Sequence, residues 1–116
     1  MHELSLIEGV VDAVTEQLGG QRVALVRLAI GALAGVAVDA LRFSFEVCTR
    51  GTPLEGAALD IVSIAGRARC RRCGNEYDAP TLAAPCPCGS FDRDLVAGDE
   101  LRLVEVEIED VPDLRM

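Results

Sequence analysis

The spacing of apolar residues predicts a helix at the start of the chain and a buried strand after it. Between residues 3 and 18, apolar side chains recur at intervals of three and four, which is typical of one helix face. These residues are Leu4, Ile7, Val11, Val14 and Leu18. Gly19-Gly20 then favours the end of the helix. Residues 22–30 carry apolar side chains on both faces, which predicts a strand covered on both sides.

A second helix is predicted in the middle of the chain. Asp39 suits its N-cap position, and the helix should run to about Arg50. Its inner face would carry Leu41, Phe45 and Cys48, at positions i, i+4 and i+7. Free cysteine is among the most buried residue types, so we expect Cys48 to pack in the core and not to bind metal.

Further strands follow, and together they predict the fold class. Residues 57–64 have a strand pattern, and another strand is expected to begin at about 66–70. In 99–109, valine and isoleucine alternate with glutamate, and a phase shift at Leu103-Val104 predicts a bulge or a change of face. The predicted fold is α/β, with two helices packed on a small mixed sheet.

Residues 70–93 have no apolar periodicity and hold four of the five cysteines. A segment this short cannot bury enough surface to fold by itself, so a metal ion should organise it. We therefore predict an α/β domain formed by residues 1–66 and 96–116. A zinc-ribbon-like module of residues 67–95 would be inserted between two of its strands.

The cysteine spacing in this module indicates a structural zinc site. Cys70 and Cys73 are separated by two residues, which lets both sulfurs approach one ion while backbone N–H groups donate to them. Cys86 and Cys88 are separated by only one residue, a tighter spacing than usual. Four thiolates favour Zn²⁺ and leave no open position for water, so zinc would hold the fold. Iron in a rubredoxin-like site and unliganded thiols are the alternatives.

Composition and charge exclude several classes of protein. The chain has 116 residues, half of them apolar, which is an ordinary globular balance. No apolar run approaches the roughly 20 residues of a membrane span, and the N-terminus lacks the basic region of a signal peptide. We therefore expect a cytoplasmic protein that does not bind membranes. A net charge of −8 and 3% aromatic residues argue against nucleic-acid binding.

The opening Met1-His2-Glu3 has the chemistry of a nickel site. The Met1 amine, the His2 amide nitrogen and the His2 imidazole can close two fused chelate rings around Ni²⁺ or Cu²⁺. Glu3 could add its amide or its carboxylate. A frayed terminus without any metal is the alternative for this segment.

The order of several short motifs resembles the HypA/HybF family of hydrogenase-maturation nickel metallochaperones. No single motif except the cysteine module is specific, but the succession is, and it covers nearly the whole chain. The motifs are Met1-His2-Glu3, Leu28-Ala29-Ile30-Gly31, Phe43-Ser44-Phe45-Glu46-Val47, Arg50-Gly51-Thr52, Glu55-Gly56-Ala57, the two cysteine pairs, Cys88-Gly89-Ser90 and Gly98-Asp99-Glu100-Leu101.

The resemblance implies a nickel-binding α/β domain, an inserted zinc domain and no enzymatic activity. Such proteins deliver Ni²⁺ to the large subunit of [NiFe]-hydrogenase together with a partner GTPase, and in some bacteria they also serve urease. Their sites imply that nickel binds at Met1, His2 and Glu3. They imply zinc ligands at Cys70, Cys73, Cys86 and Cys88. We expect a monomer or a weak homodimer.

Two positions depart from the family pattern or extend it. The second cysteine pair is CPxCGS in the family, whereas Cys86-Pro87-Cys88-Gly89-Ser90 lacks one residue, which leaves the zinc geometry open. An acidic residue at the start of the second helix has been implicated near nickel in some members. Asp39 is the candidate here, and a helix cap without any nickel role is its alternative.

The alternative function is a zinc-ribbon adaptor that binds nucleic acid or protein. Its support is a group of arginines on the module, which are Arg67, Arg69, Arg71, Arg72 and Arg93. These could also offset the negative charge of a tetrathiolate zinc site or hydrogen-bond its sulfurs. A hydrolase or redox enzyme is not predicted, because the chain has no nucleophile–base pair and no open metal site.

Overall fold

A computed structural model describes residues 2–109, with the backbone alone at His2. Met1 and residues 110–116, where a loose tail was predicted, lie outside the described residues. The elements are α1 (His2–Leu18), β1 (Val23–Gly31), α2 (Val38–Cys48), β2 (Ala58–Ile64), β3 (Arg67–Cys70), β4 (Glu76–Asp78), β5 (Arg93–Ala97) and β6 (Leu101–Ile108). The predicted α/β class, with two helices, small sheets and clustered cysteines, is confirmed.

The described strands form two three-stranded sheets, in the orders β2-β1-β6 and β4-β3-β5. In the second sheet, β3 pairs antiparallel with both neighbours, so that Ala68 lies opposite Tyr77 on β4 and Leu95 on β5. The strands β4 and β5 were not predicted. They are only three and five residues long, and strands this short carry too few positions to show a periodicity.

The chain divides into two compact units, and each has its own core. The first unit contains residues 1–27, 36–60 and 103–116, and the second contains residues 28–35 and 61–102. The predicted boundaries of the zinc module, at 67 and 95, lie inside the second unit. The division into a nickel-binding domain and a zinc module stays a prediction.

The first unit is organised by α1 and α2, which pack against each other. The stripe predicted for α1 is buried at its centre, at Ile7, Val11 and Val14. From α2, Leu41 and Phe45 complete this core. The apolar spacing of both helices therefore predicted the packed faces correctly.

The start of α2 differs from the prediction. Its N-cap is Ala37, whose side chain makes no capping hydrogen bond, and Asp39 is the second residue of the helix. The helix ends at Cys48, and the N–H and hydroxyl of Thr49 both donate to the carbonyl of Phe45. Because Thr49 closes the last turn, α2 stops two residues before the predicted end at about Arg50.

The second unit has a small core of its own, larger than the loss of apolar periodicity indicated. Its fully buried members come from β3, β4 and the cysteine turns: Ala68, Cys70, Tyr77, Ala79 and Cys86. Leu33 and Ala84 pack against this group. Tyr77 is 7% exposed and is the one aromatic member of this group, where it packs with the two buried cysteines.

Candidate metal centre

Two similar turns position the four clustered cysteines. In the first, the N–H of Gly74 donates to the carbonyl of Cys70 at 2.9 Å, and in the second the N–H of Gly89 donates to the carbonyl of Cys86 at 2.8 Å. Gly74 and Gly89 have φ angles of +81° and +95°, which residues with a Cβ rarely adopt. Each turn therefore depends on its glycine.

The turns bring all four sulfur atoms within 4.8 Å of one another. The Sγ atoms of Cys70 and Cys88 are 3.7 Å apart, and those of Cys73 and Cys86 are 3.5 Å apart. A tetrahedral zinc ion with Zn–S bonds of about 2.3 Å requires sulfur separations of about 3.8 Å. The sulfurs thus already lie close to the geometry that zinc needs, and the single residue between Cys86 and Cys88 does not prevent it.

Backbone N–H groups point at the buried sulfurs. The N–H groups of Arg72 and Cys73 donate to the Cys70 sulfur at 3.3 and 3.4 Å, and the N–H of Cys88 donates to the Cys86 sulfur at 3.5 Å. These are the donors that the two-residue spacing predicted for the first pair. They stabilise thiolate charge inside a site of which two members, Cys70 and Cys86, are buried.

The electrostatics of the cluster favour a bound cation. The N–H of Cys73, helped by that of Arg72, lowers the pKa of Cys70 to about 6. The N–H of Cys88 lowers the pKa of Cys86, but burial and the neighbouring sulfurs outweigh it and raise that pKa to about 12. Cys70 therefore ionises readily whereas Cys86 does not, and a divalent cation among the sulfurs would favour the thiolate form of Cys86.

Three arginines of the module form ion pairs with acidic residues, and among the described residues the one arginine group that hydrogen-bonds a sulfur is the backbone N–H of Arg72. The shortest pairs are Arg67–Asp78 at 2.5 Å, Arg69–Glu76 at 2.7 Å, Arg71–Asp94 at 2.5 Å and Arg71–Asp92 at 3.0 Å. Arg71 also lowers the pKa of Asp94, through a hydrogen bond first and its charge second. Three of the five arginines behind the nucleic-acid alternative are thus already neutralised within the fold, which argues against that alternative.

Of the predicted nickel ligands, the structure describes the side chain of Glu3 alone. Met1 and the His2 side chain lie outside the described residues, although α1 begins at His2. The Glu3 carboxylate accepts a hydrogen bond from the N–H of Ala37 at 3.1 Å. Glu3 thus accepts a hydrogen bond from the N–H of the N-cap residue, as the carboxylate of a capping box does, and places a negative charge at the positive end of α2. No sequence pattern indicated this contact, which joins residues 34 positions apart.

Cys48 stands apart from the cysteine cluster. Its side chain is half-buried and lines a cavity of about 240 Å³ between α1 and α2, beside Glu8 and Asp12. Burial, with a smaller contribution from the Glu8 charge, raises the pKa of Cys48. Among residues 2–109, the four clustered cysteines are the only group of three or more candidate ligands close enough to share a metal ion.

The fold and the site define a small α/β protein with a four-cysteine cluster that can hold a metal ion. A family model described as hydrogenase/urease nickel incorporation, metallochaperone, hypA, matches residues 1–108. Curated relatives named hydrogenase maturation factor HypA include one from Nostoc punctiforme, 45% identical over 96% of this chain and 98% of its own length. Another, from Geotalea daltonii, is 49% identical over 89% of this chain and 94% of its own length.

The chain belongs to the HypA family. A solution structure of the nickel metallochaperone HypA from Helicobacter pylori has the same fold, with a TM-score of 0.62 and 20% sequence identity, over 91% of this chain and 96% of that one. The predicted family is therefore confirmed. The family consists of metallochaperones that act in hydrogenase maturation and are not enzymes. The family binds nickel and zinc, and the cysteine cluster is consistent with a structural zinc site. No described helix is long and apolar enough to cross a membrane.

Proposed function

We propose that this chain binds Ni²⁺ at its N-terminus and releases it to the maturation machinery of a [NiFe]-hydrogenase. The Met1 amine, the His2 amide and imidazole nitrogens and Glu3 would supply the ligands. Ligands at a chain end can leave one at a time, which suits a carrier that must give up its metal. The observation that carries this proposal is the anchoring of Glu3 to Ala37, since it would hold the start of α1 against α2.

The distribution of charge supports nickel capture by the first unit. That unit contains thirteen acidic and five basic residues, whereas the second contains six of each, so the net charge of −8 belongs to the first. A strongly negative surface raises the local concentration of divalent cations around it. The acidic first turn of α2, with Asp39, would add to this field near Glu3.

We further propose that the four clustered cysteines bind one structural Zn²⁺ ion that is not transferred. The ion would have four protein ligands and no open position, which is the arrangement of a structural site. Partners of the nickel-loaded protein would be a nickel-handling GTPase and the hydrogenase large subunit, and the urease machinery in organisms that have it. Cysteines that bind zinc as thiolates must stay reduced, which a cytoplasmic location would favour.

The nickel site is tested by calorimetric titration of zinc-loaded protein with and without a residue fused ahead of Met1. We expect the fusion, Nα-acetylation and His2→Ala each to weaken nickel binding by orders of magnitude, because each removes a ligand or the free amine. Glu3→Gln should weaken nickel binding more than Glu8→Gln does. Glu8 is the control because it is exposed and lies five positions further along the same helix. Equal nickel affinity of the fused and free chains would refute the proposal.

The zinc site is tested by metal analysis of single cysteine variants. Cys88→Ser should lower the zinc content well below one per chain, because it removes one of four ligands. Cys48→Ser changes the same chemical group outside the cluster and should leave zinc unchanged. Zinc that survives Cys88→Ser but is lost from Cys48→Ser would contradict the assignment.

A further inference from the structure

The strand β6 has an exposed outer edge and exposed apolar residues. In the described residues it pairs with β1 on one side and with no strand on the other, since the sheet order is β2-β1-β6. The pairing with β1 continues to its end, where the N–H of Glu109 donates to the carbonyl of Arg22 at 2.9 Å. Val104 and Ile108 are 46% and 45% exposed. Open edges are usually protected by charged side chains, especially lysine, or by proline; within 101–108 β6 has neither lysine nor proline, and its charged residues are Arg102, Glu105 and Glu107.

An apolar cavity lies beside this edge. The last turns of α1 and the strand leave a space of about 120 Å³ between Val14, Leu18, Leu103 and Val106. Val106 lines it, and Val104 and Ile108, two residues away on either side, share its face by strand alternation. Leu103 also lines the cavity, so the alternation does not extend to Leu103. A strand added outside β6 could therefore place aliphatic side chains beside the cavity and over these exposed residues.

The opposite face of β6 is acidic. Glu105, Glu107 and Glu109 occupy every second position and so share this face. Among the described residues, Glu107 forms no ion pair. Glu105 pairs with Arg27, but that arginine also binds Asp60, so the group keeps a negative excess. The unit to which residues 103–109 belong carries the entire net charge of −8. An added strand would thus meet carboxylates on this face.

A second copy of β6 fits this edge poorly. An antiparallel pair related by a two-fold axis places residues of the same face opposite each other. If the two-fold axis passes through Glu105 or Glu107, that glutamate lies opposite the same glutamate of the second copy. If the axis passes through Val106, Glu105 of each copy lies opposite Glu107 of the other. Like charges directly opposite each other destabilise a sheet. In registers centred on residues 105–107, the charge pattern therefore favours a basic partner over self-association.

We propose that the outer edge of β6, at residues 103–108, binds an extended segment of a partner protein in which basic and aliphatic residues alternate. The backbone of that segment would continue the sheet, as in other complexes formed by strand addition. Its basic side chains lie along Glu105 and Glu107, and its aliphatic side chains cover Val104, Val106 and Ile108. Residues 103–108 include none of the proposed nickel or zinc ligands, so strand addition would use different side chains from those that bind metal.

The probe is a capped eight-residue peptide of alternating lysine and valine, titrated into ¹⁵N-labelled zinc-loaded protein. Amide shift changes and slowed hydrogen exchange should concentrate in residues 103–108 and weaken with added salt. Two control peptides have glutamate in place of lysine, or the same composition in blocks of four lysines and four valines. Both should bind at least about tenfold more weakly. Block-peptide binding of equal strength would overturn the proposal, because alternation would not matter.

Charge-swapped variants provide the second arm. Glu107→Lys should weaken the lysine–valine peptide about tenfold and improve binding of the glutamate–valine peptide. Glu46→Lys makes the same change of net charge on the exposed side of α2 and should do neither. If both variants bound the lysine–valine peptide equally weakly, the effect would come from net charge alone, and the proposed site on β6 would be refuted. Concentration-dependent dimerisation that protects 103–108 without peptide would show that a second copy is the occupant.

Discussion

Gly66 lies where two backbone segments of the second unit pack closely, and its replacement gives a sharp test of the fold. It connects β2 to β3, and its carbonyl accepts a hydrogen bond from the N–H of Ala79 at 2.9 Å. A Cβ at this position would lie 2.1 Å from the Ala79 carbonyl oxygen and 2.9 Å from the Leu33 side chain. Gly98 approaches from the other side, since its own Cβ would lie 2.6 Å from the Gly66 Cα. Gly66→Ala is therefore the substitution that tests this close packing.

The cost follows from the displacement that alanine requires. A Cβ is essentially never found within 3.0 Å of such an atom, so the two backbones must separate by at least 0.9 Å. Overpacking of this kind costs about 1–3 kcal/mol, and loss of the Ala79 hydrogen bond costs about 1 kcal/mol. Alanine also lowers the conformational entropy of the unfolded chain, which offsets this cost by about 0.4–1 kcal/mol. The free energy of unfolding should fall by about 2 kcal/mol.

The measurement is urea unfolding of zinc-loaded protein, with hydrogen exchange to locate the loss in residues 61–102. Gly9→Ala is the matched control, because Gly9 is an exposed residue inside α1 with nothing within 4 Å of its Cβ position. It should stabilise the protein by about 1 kcal/mol through helix propensity. The two substitutions must therefore move the unfolding midpoint in opposite directions. A loss below about 0.5 kcal/mol for Gly66→Ala would refute the argument from close packing.

Two further predictions concern protonation. Nickel affinity at the N-terminus should rise with pH and fall away below the ordinary pKa values of an amine, near 8, and of imidazole, near 6.5, because both must lose a proton to coordinate; titrations between pH 6 and 8.5 that show no change would contradict this. Cys48 should alkylate more slowly than a free thiol in zinc-loaded protein, because burial first and Glu8 second raise its pKa and favour the neutral form. Glu8→Gln should speed the reaction, as followed by mass spectrometry, and an unchanged rate would remove Glu8 as a cause.

Elements with a periodic burial pattern could be predicted from the sequence. The stripe through Ile7, Val11 and Val14 identified α1 because a helix that packs on one side must repeat its apolar residues every three or four positions. The cysteine cluster could be predicted for a different reason. A metal site needs a fixed set of ligand atoms, and Cys70 and Cys73 display that requirement within four residues.

Contacts between distant residues could not be predicted in this way. The sequence placed the cap of α2 at Asp39, whereas Glu3 supplies the acceptor to Ala37 from 34 positions away. The strands β4 and β5 escaped prediction because pairing with β3 holds them, and three to five residues cannot display a pattern.

The sequence by itself determined the helices, the longer strands, the cysteine ligand set and the family resemblance, because each is recorded in residue types at short spacing. Only the tertiary structure decided that Gly66, Ala79 and Gly98 meet without room for a Cβ. It alone decided that three module arginines face acidic partners and that no strand among residues 2–109 pairs with the outer edge of β6. These features depend on which segments lie side by side, and residues far apart in the chain fix that arrangement only when the whole fold has formed.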